Sequence, residues 1–521
     1  MLPAGQTIAS GPDSARKRGN ELFVAGRYAD AAAAYSAGLA DAGIRDVERG
    51  TLLSNRAAAY LKLGDAPAAA ADARAALRLQ PCNAKAHARL ARALPRGDVL
   101  EAPAAVAAAV ALLGPHLDAE LVSLYAAVRD ATADAVAAAA AAASPSAPPP
   151  AEPPAGPAAV LPLPRDPAAV ALASTWREAA AAAAAGAELV VLQPGVYETA
   201  LGYIPCSVLG LGGAELRSAG SHVIQHAAAR RRLVIANMRL GGTGRAAAAC
   251  VWGAGAQLSL IGCTVAGRDD VGVLVTLGGI AALEGCKISN TSKQAIEVRE
   301  GGRLSAARVT VEDCMQGVAA AGGARSVVLR ECSILRSRFE GLMLQGTYTN
   351  AVSEAQAVLL QRQQQAPLSE ADAHGHLVSA QAQASGRRLG TPLDAALFGC
   401  TIAGSGGFGI SADMGANVTL AGCRLELNSP ISVFIKGGTD ATLIGCQIIY
   451  SGAKPSHPSQ FAPPGTRQSG ARVAVNYAGA VVVAGCAFAG PPGLAVHEEL
   501  AGAAAGGARP GARAGNAGRP R

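Results

Sequence analysis

The chain has 521 residues and a formal net charge of +7, and half of its residues are apolar although only 3% are aromatic. This length allows two to four domains, whose cores must be filled by small aliphatic side chains. The charge is modest for the length, and we expect no specific nucleic-acid partner.

The first residues, MLPAGQTIASGPDSARKRGN, contain no apolar stretch behind a basic one, so we expect no secretory signal. Outside alanine-rich helix, no stretch offers the roughly 18 consecutive apolar residues that a membrane span requires. We therefore expect a cytoplasmic protein without membrane contact, whose eleven cysteines are reduced thiols. Residues 1–13 are expected to be flexible.

From Ser14 to about Leu94, apolar residues recur at helical spacing, with the turn signals AGRY and LGDA between segments. This segment resembles tetratricopeptide (TPR) repeats, which are helix-turn-helix units of about 34 residues. The packing positions of the first two units hold Gly19, Leu22, Gly26, Tyr28, Ala31, Tyr35, Tyr60, Gly64, Ala69, Ala76 and Pro81. Pro95 falls early in the third unit and makes its second helix less well defined. We assign residues 14–142 to TPR repeats with capping helices.

Residues 143–166 are rich in proline and alanine and predict a semi-rigid linker. Residues 167–490 resemble right-handed parallel β-helices of the pectate-lyase-like kind, which begin with a helix, a β-branched strand and a Pro-Gly turn. About ten coils fit, with insertions at about 346–394 and 454–469. Residues 491–521 are expected to be a disordered Ala/Gly/Arg tail. The predicted fold is thus multidomain, an all-α TPR array followed by an all-β right-handed parallel β-helix.

A Gly-Cys pair recurs six times in the second domain, and several of its cysteines lie 23 residues apart. The six are Cys263, Cys286, Cys400, Cys423, Cys446 and Cys486. They could be disulfide partners, metal ligands, reactive thiols or buried small hydrophobes. Strand alternation places each cysteine on the same face as the apolar residue two positions later, with the glycine at a corner. We predict an inward cysteine ladder with no metal and no cofactor. Cys314 and Cys332 follow Asp313 and Glu331 in place of glycine.

Many parallel β-helices act on polysaccharides, so the acidic residues of this domain are candidates for catalysis. Asp269 and Asp270 are adjacent carboxylates, loosely similar to the paired aspartates of polygalacturonases, and HGH at His374–His376 matches a motif of that family by composition only. The other motifs of that family are missing. We predict no catalytic residues. Arg230, Arg231 and Arg232 could attract an anion, although a solvated loop explains them as well.

Five side chains in the helical segment form the most specific pattern. Arg16 and Asn20 are four residues apart, as are Lys85 and Arg89, so each pair shares one helical face. Asn55 lies 34 residues before Arg89, one repeat length, and therefore has the same phase in its own unit. The five side chains are all hydrogen-bond donors with no acid among them. Such a set suits a terminal carboxylate beside an acidic side chain.

This arrangement resembles the carboxylate clamp of co-chaperone TPR domains, whose pattern is Lys…Asn…Asn…Lys…Arg. Asn20, Asn55, Lys85 and Arg89 match in type and spacing, and Arg16 stands in place of the first lysine. The resemblance implies binding of the acidic C-termini of cytosolic heat-shock chaperones of the seventy- and ninety-kilodalton classes.

Our leading hypothesis is a non-enzymatic adaptor whose groove binds a chaperone C-terminus while the β-helix presents a partner- or client-binding surface. The ligand of the β-helix surface is expected to be a protein, less readily a glycan. One rival is a carbohydrate-active lyase or hydrolase. The other is a substrate-recognition subunit of a ubiquitin ligase pathway, suggested by the β-helices of some F-box proteins.

Overall fold

The structure of the protein is a computed structural model. The structure describes residues 11–499 except 96–97, 143–158, 200–203, 205, 219–221, 228–231, 243–246, 267–269, 347–392, 429–430, 437–438, 450–472, 477–480 and 490–495.

In the described residues, seven α-helices form the N-terminal region and an eighth lies at the start of the β-helix. They are α1 Pro12–Val24, α2 Tyr28–Leu39, α3 Asp46–Leu63, α4 Ala66–Leu79, α5 Ala84–Ala93, α6 Glu101–Leu113, α7 Ala119–Ala142 and α8 Trp176–Ala184. Glycines permit the close helix crossings, since a Cβ at Gly19 would lie 2.2 Å from the Tyr35 ring. Gly64 ends α3 in the left-handed conformation, with φ of 80°. Pro95 falls between α5 and α6, so the third helix pair forms.

The β-helix is built from three parallel sheets, in each of which a strand pairs with its counterpart in the next coil. Sheet A contains Val170–Ala173, Leu189–Leu192, Ser207–Gly210, Arg232–Ala236, Gln257–Ile261, Ile280–Glu284, Arg303–Ala307, Ser326–Arg330, Asp394–Phe398, Asn417–Ala421, Asp440–Ile444 and Val481–Ala484. Sheet B contains Gly195–Glu198, Ala214–Ser218, Arg239–Gly242, Thr264–Ala266, Lys287–Ser289, Thr310–Glu312, Ser333–Leu335, Thr401–Ala403, Arg424–Glu426, Gln447–Ile449 and Ala487–Ala489. Sheet C contains Ile224–His226, Ala249–Trp252, Val273–Thr276, Gln294–Val298, Gln316–Ala320, Leu342–Gln345, Ile410–Asp413, Val433–Lys436, Val473–Asn476 and Val496–Glu499.

The cysteine ladder is confirmed at the corner between sheets A and B. In the coil of residues 440–449, the side chains of Leu443, Cys446 and Ile448 are fully buried. Gly445 turns the corner with φ of 60°, a conformation that glycine adopts without steric cost. The Cys446 thiol is free and donates a hydrogen bond to the carbonyl of Leu420 in the preceding coil. The buried cysteines of this corner therefore fill the interior as small hydrophobic side chains, whereas Cys486 is half-buried.

Cys314 does not lie at the corner between sheets A and B that the cysteines of the ladder occupy. Cys314 lies at the corner between sheets B and C, in a buried column with Thr291, Ser337, Ser405 and Asn428. The ladder position of that coil is held by Val309, which follows the left-handed residue Arg308, with φ of 51°. The irregular spacings around Cys314 are thus two regular coils with a valine at one step.

The helical array is packed directly onto the outer face of sheet A. The buried face of α6 and the segment 159–163 join the outward residues of the first coils in one apolar cluster. The cluster includes Val106, Val110, Leu161, Leu189, Val191, Leu209 and Val234. Tyr125 and Arg129 of α7 donate hydrogen bonds, each of 2.9 Å, to the carbonyls of Pro164 and Arg165. The described end of the expected spacer is therefore part of an interface.

One other expectation about boundaries differs from the structure. Val496–Glu499 pairs in parallel with Val473–Asn476 in sheet C, so coils continue past residue 490, where we expected a disordered tail. An open strand edge offers hydrogen bonds to any further extended segment, which explains this extension. Most of the two expected insertions lies outside the described residues.

Candidate functional site

The first helix of each of three successive repeats contributes to the candidate groove. Asn20 lies on α1, Asn55 on α3 and Arg89 on α5. Because α3 packs against both α1 and α5, residues at matched repeat phase come together.

Three of the five predicted side chains form a hydrogen-bonded row across these helices. Asn55 Nδ2 donates to Asn20 Oδ1 at 3.3 Å. Arg89 Nη1 donates to Asn55 Oδ1 over a longer 3.5 Å. The row thus spans all three repeats, as the spacing of these residues predicts.

Two hydroxyl groups behind the row were missed as site residues. Tyr35, which the sequence indicated only as a packing residue, donates from its hydroxyl to Asn20 Oδ1 at 2.8 Å. Ser54 is 2% exposed and accepts a hydrogen bond from Arg89 Nη1. No motif marks Ser54, although its position beside Asn55 was a usable signal.

The remaining two predicted residues lie one helical turn before the ends of the row. Arg16 precedes Asn20 on α1, and Lys85 precedes Arg89 on α5, where its side chain is exposed. Arg16 Nη2 forms an ion pair of 3.0 Å with Asp13 Oδ1, so one acid does stand among the donors. Both partners of that pair are more than a third exposed, and such surface pairs contribute little.

Burial sets the electrostatics of the row. Desolvation lowers the pKa of Arg89 to about 10, partly offset by the nearby Tyr35, so its guanidinium remains protonated at neutral pH. Burial raises the pKa of the Tyr35 hydroxyl, which therefore stays neutral and available as a donor. The groove consequently carries positive charge and amide donors, and suits a carboxylate ligand.

A second concave feature lies where the helices meet the β-helix. A cavity of about 650 Å³ is bounded by α4, α5, α6 and the turn at residues 209–213. His87 lies in its wall, with Nε2 2.8 Å from the Pro81 carbonyl and with Nδ1 buried without a described partner. Burial lowers the pKa of this imidazole.

The candidate sites on the β-helix are less specific. Asp270 binds Lys293 Nζ at 2.8 Å and accepts a hydrogen bond from the Ser292 hydroxyl at 3.1 Å. Arg232 lies within a strand of sheet A, where its guanidinium donates to Ser259 Oγ and to the Val160 carbonyl at 3.2 and 3.1 Å. It therefore supports the domain interface. Asp269, Arg230, Arg231 and His374–His376 lie outside the described residues.

In the part of the chain that the structure describes, no three His, Cys, Asp or Glu side chains are grouped so that they could hold a metal ion. No helix in the same part is long and apolar enough to cross a membrane.

The comparisons with known proteins agree with the two parts of the fold. Residues 247–359 match the family described as right handed beta helix region. In its N-terminal helical region the chain is similar to proteins with TPR segments. The TPR repeat-containing thioredoxin TTL4 of Arabidopsis thaliana is 46% identical over 72 residues, 14% of this chain and 10% of that protein. Sperm-associated antigen 1 is 39% identical over 87 residues in Mus musculus and 40% in Homo sapiens, in both cases 16% of this chain.

The chain spans about a tenth of the length of these curated relatives, since the matches cover 10%, 10% and 9% of them. Among solved structures, the A-module of the mannuronan C-5 epimerase AlgE6 of Azotobacter vinelandii is similar to 62% of this chain and to 90% of its own. Its identity is 12% and its TM-score 0.34, a similarity too low to say anything about activity. The chain therefore joins a helical array of the TPR type to a right-handed parallel β-helix.

Proposed function

We propose that this protein is a non-enzymatic adaptor whose TPR groove binds the acidic C-terminus of a partner protein, while the β-helix presents a second binding surface. The observation that carries the proposal is the row Asn20–Asn55–Arg89, which joins three repeats by hydrogen bonds. A free α-carboxylate occurs once per chain, so a groove that selects it selects C-termini.

The chemistry of the groove narrows the class of ligand. Arg89 is a half-buried cation whose desolvation is offset when an anion binds beside it. Lys85 and Arg16 add charge one turn away, where a second carboxylate of an acidic peptide would lie. The similarity to the carboxylate clamp supports heat-shock chaperones of the seventy- and ninety-kilodalton classes as partners in the cytoplasm.

Titration of the full chain with a peptide that ends in Glu-Glu-Val-Asp tests this proposal. The free-acid peptide should bind more tightly than its C-terminal amide, and less tightly as salt concentration rises. Asn55→Ala and Lys85→Ala should each weaken binding of the free acid, by roughly tenfold or more for the charged residue.

A matched control is Lys62→Ala, which removes an exposed lysine from α3 outside the row. It should leave the affinity unchanged. Equal binding of acid and amide by the wild-type chain would refute the proposal, as would equal losses in Lys62→Ala and Lys85→Ala.

A further inference from the structure

Arg89 determines the direction of every hydrogen bond in the row. A guanidinium carries only N–H donors and has no acceptor. The atom of Asn55 that faces Arg89 Nη1 must therefore be its oxygen, and the amide nitrogen of Asn55 must face Asn20. The atom of Asn20 that faces Asn55 is then again an oxygen.

Tyr35 lies at the far end of this row of hydrogen bonds. A phenol hydroxyl can either donate or accept, but here it meets an oxygen that already accepts from Asn55. It donates to Asn20 Oδ1 at 2.8 Å, a shorter contact than the 3.3 Å from Asn55. With its oxygen held from two sides, Asn20 must turn its NH₂ group the other way, and the residue as a whole is exposed.

We propose that Tyr35 is a positioning residue of the groove, which acts through Asn20 so that the row presents N–H donors and no carbonyl oxygen to its ligand. Without the hydroxyl, the Asn20 amide can rotate and offer its oxygen, which repels a carboxylate. This inference rests on the proposed binding of C-termini and adds the source of its selectivity. At the other end of the row, the Ser54 oxygen accepts a hydrogen bond from Arg89 Nη1 and helps to hold the guanidinium in place.

The packing makes Tyr35→Phe a clean test. The Tyr35 ring is 2% exposed and lies against Gly19, and phenylalanine keeps that ring. Of the two hydrogen bonds that hold Asn20 Oδ1, the substitution removes the shorter one and leaves the 3.3 Å contact from Asn55, so the amide is held less firmly. A matched control is Tyr60→Phe, which removes a hydroxyl from a ring on α3 that packs beneath the Arg56 guanidinium.

The measured quantity is the ratio of dissociation constants for the amidated and free-acid Glu-Glu-Val-Asp peptides, determined on the full chain. Loss of one hydrogen bond predicts a fall of about fivefold in this ratio for Tyr35→Phe, and no change for Tyr60→Phe. In an Asn20→Ala background, Tyr35→Phe should change nothing further, because the group through which it acts is gone.

The outcomes separate the two proposals. If wild type binds acid and amide equally, the proposed function fails and the role of Tyr35 fails with it. If wild type prefers the acid and Tyr35→Phe keeps the full ratio, only the positioning role is overturned. An equal fall of the ratio in the Asn20→Ala background would also overturn it, because Tyr35 would then act independently of Asn20.

Discussion

Leu161→Ala tests whether the helical array and the β-helix are one mechanical unit. Leu161 is 1% exposed and lies in the apolar cluster that joins α6 to sheet A. The substitution removes three carbon groups, worth about 0.8 kcal/mol each, or about 2.4 kcal/mol. The cavity left behind adds to this loss, so we expect a decrease in unfolding free energy of roughly 2 to 5 kcal/mol.

Two optical probes report the two halves of the chain in a urea titration. Ellipticity at 222 nm follows the helices, while both tryptophans, Trp176 and Trp252, lie in the β-helix and report on it by fluorescence. Leu161→Ala should move both transitions to lower urea. Leu63→Ala, which truncates a leucine that is 47% exposed on α3, should shift the helical transition far less and leave the fluorescence transition in place.

The reasoning is refuted if Leu161→Ala leaves both transitions unchanged, since residues 159–163 would then be a spacer after all. It is also refuted if only one transition moves, because an interface stabilises both of its partners. A coupled response would mean that the groove keeps a fixed position relative to the β-helix. The adaptor would then hold its two ligands at a set separation.

Three other predictions concern the scaffold. Cys400→Val should lower the unfolding free energy by less than about 1.5 kcal/mol, because Val309 already occupies the same ladder position in another coil. Cys400→Ser buries a hydroxyl and should lower it by about 1 to 3 kcal/mol. Equal urea midpoints for the two variants would contradict this. A Cβ added by Gly445→Ala would meet no atom within 4 Å, but it would stand on backbone with φ of 60°. Thermal melting should therefore show a loss of stability of about 1 to 2 kcal/mol, and a smaller loss for Gly445→Asn. An alanine variant as stable as the wild type would disprove the assigned corner. Burial lowers the pKa of His87, so between about pH 7 and its folded pKa the unfolded chain binds the extra proton and stability falls as pH falls. His87→Gln should flatten this part of the melting profile, and an unaltered slope would argue against the assignment.

Much of the fold could be read from local signals. Glycine before an inward cysteine marks a corner because a left-handed residue is needed there, and the 23-residue repeat follows from the length of a coil. The helix pairs could also be predicted from the sequence. Gly19 and Tyr35, which both occupy repeat packing positions, contact each other where the two helices cross. The place of Cys314 could not be predicted from the sequence. A left-handed residue followed by a cysteine can stand at the corner between sheets A and B or at the corner between sheets B and C, and the local sequence does not distinguish the two.

The candidate site divides in the same way. Repeat phase alone brought Asn20, Asn55 and Arg89 together, since equivalent positions of stacked repeats are neighbours. The ion pair of Arg16 with Asp13 depends on side-chain conformation and was not foreseen.

The sequence by itself determined the two architectures and the repeat phase that Asn20, Asn55 and Arg89 share, because both follow from periodicity along the chain. Only the tertiary structure decided that α6 and residues 159–163 pack the helices onto sheet A. The apolar face of a helix predicts that the face is buried, but not which surface buries it. It also decided the direction of the amide row, because each amide can both donate and accept, and a group that can only donate, here Arg89, fixes the direction from one end.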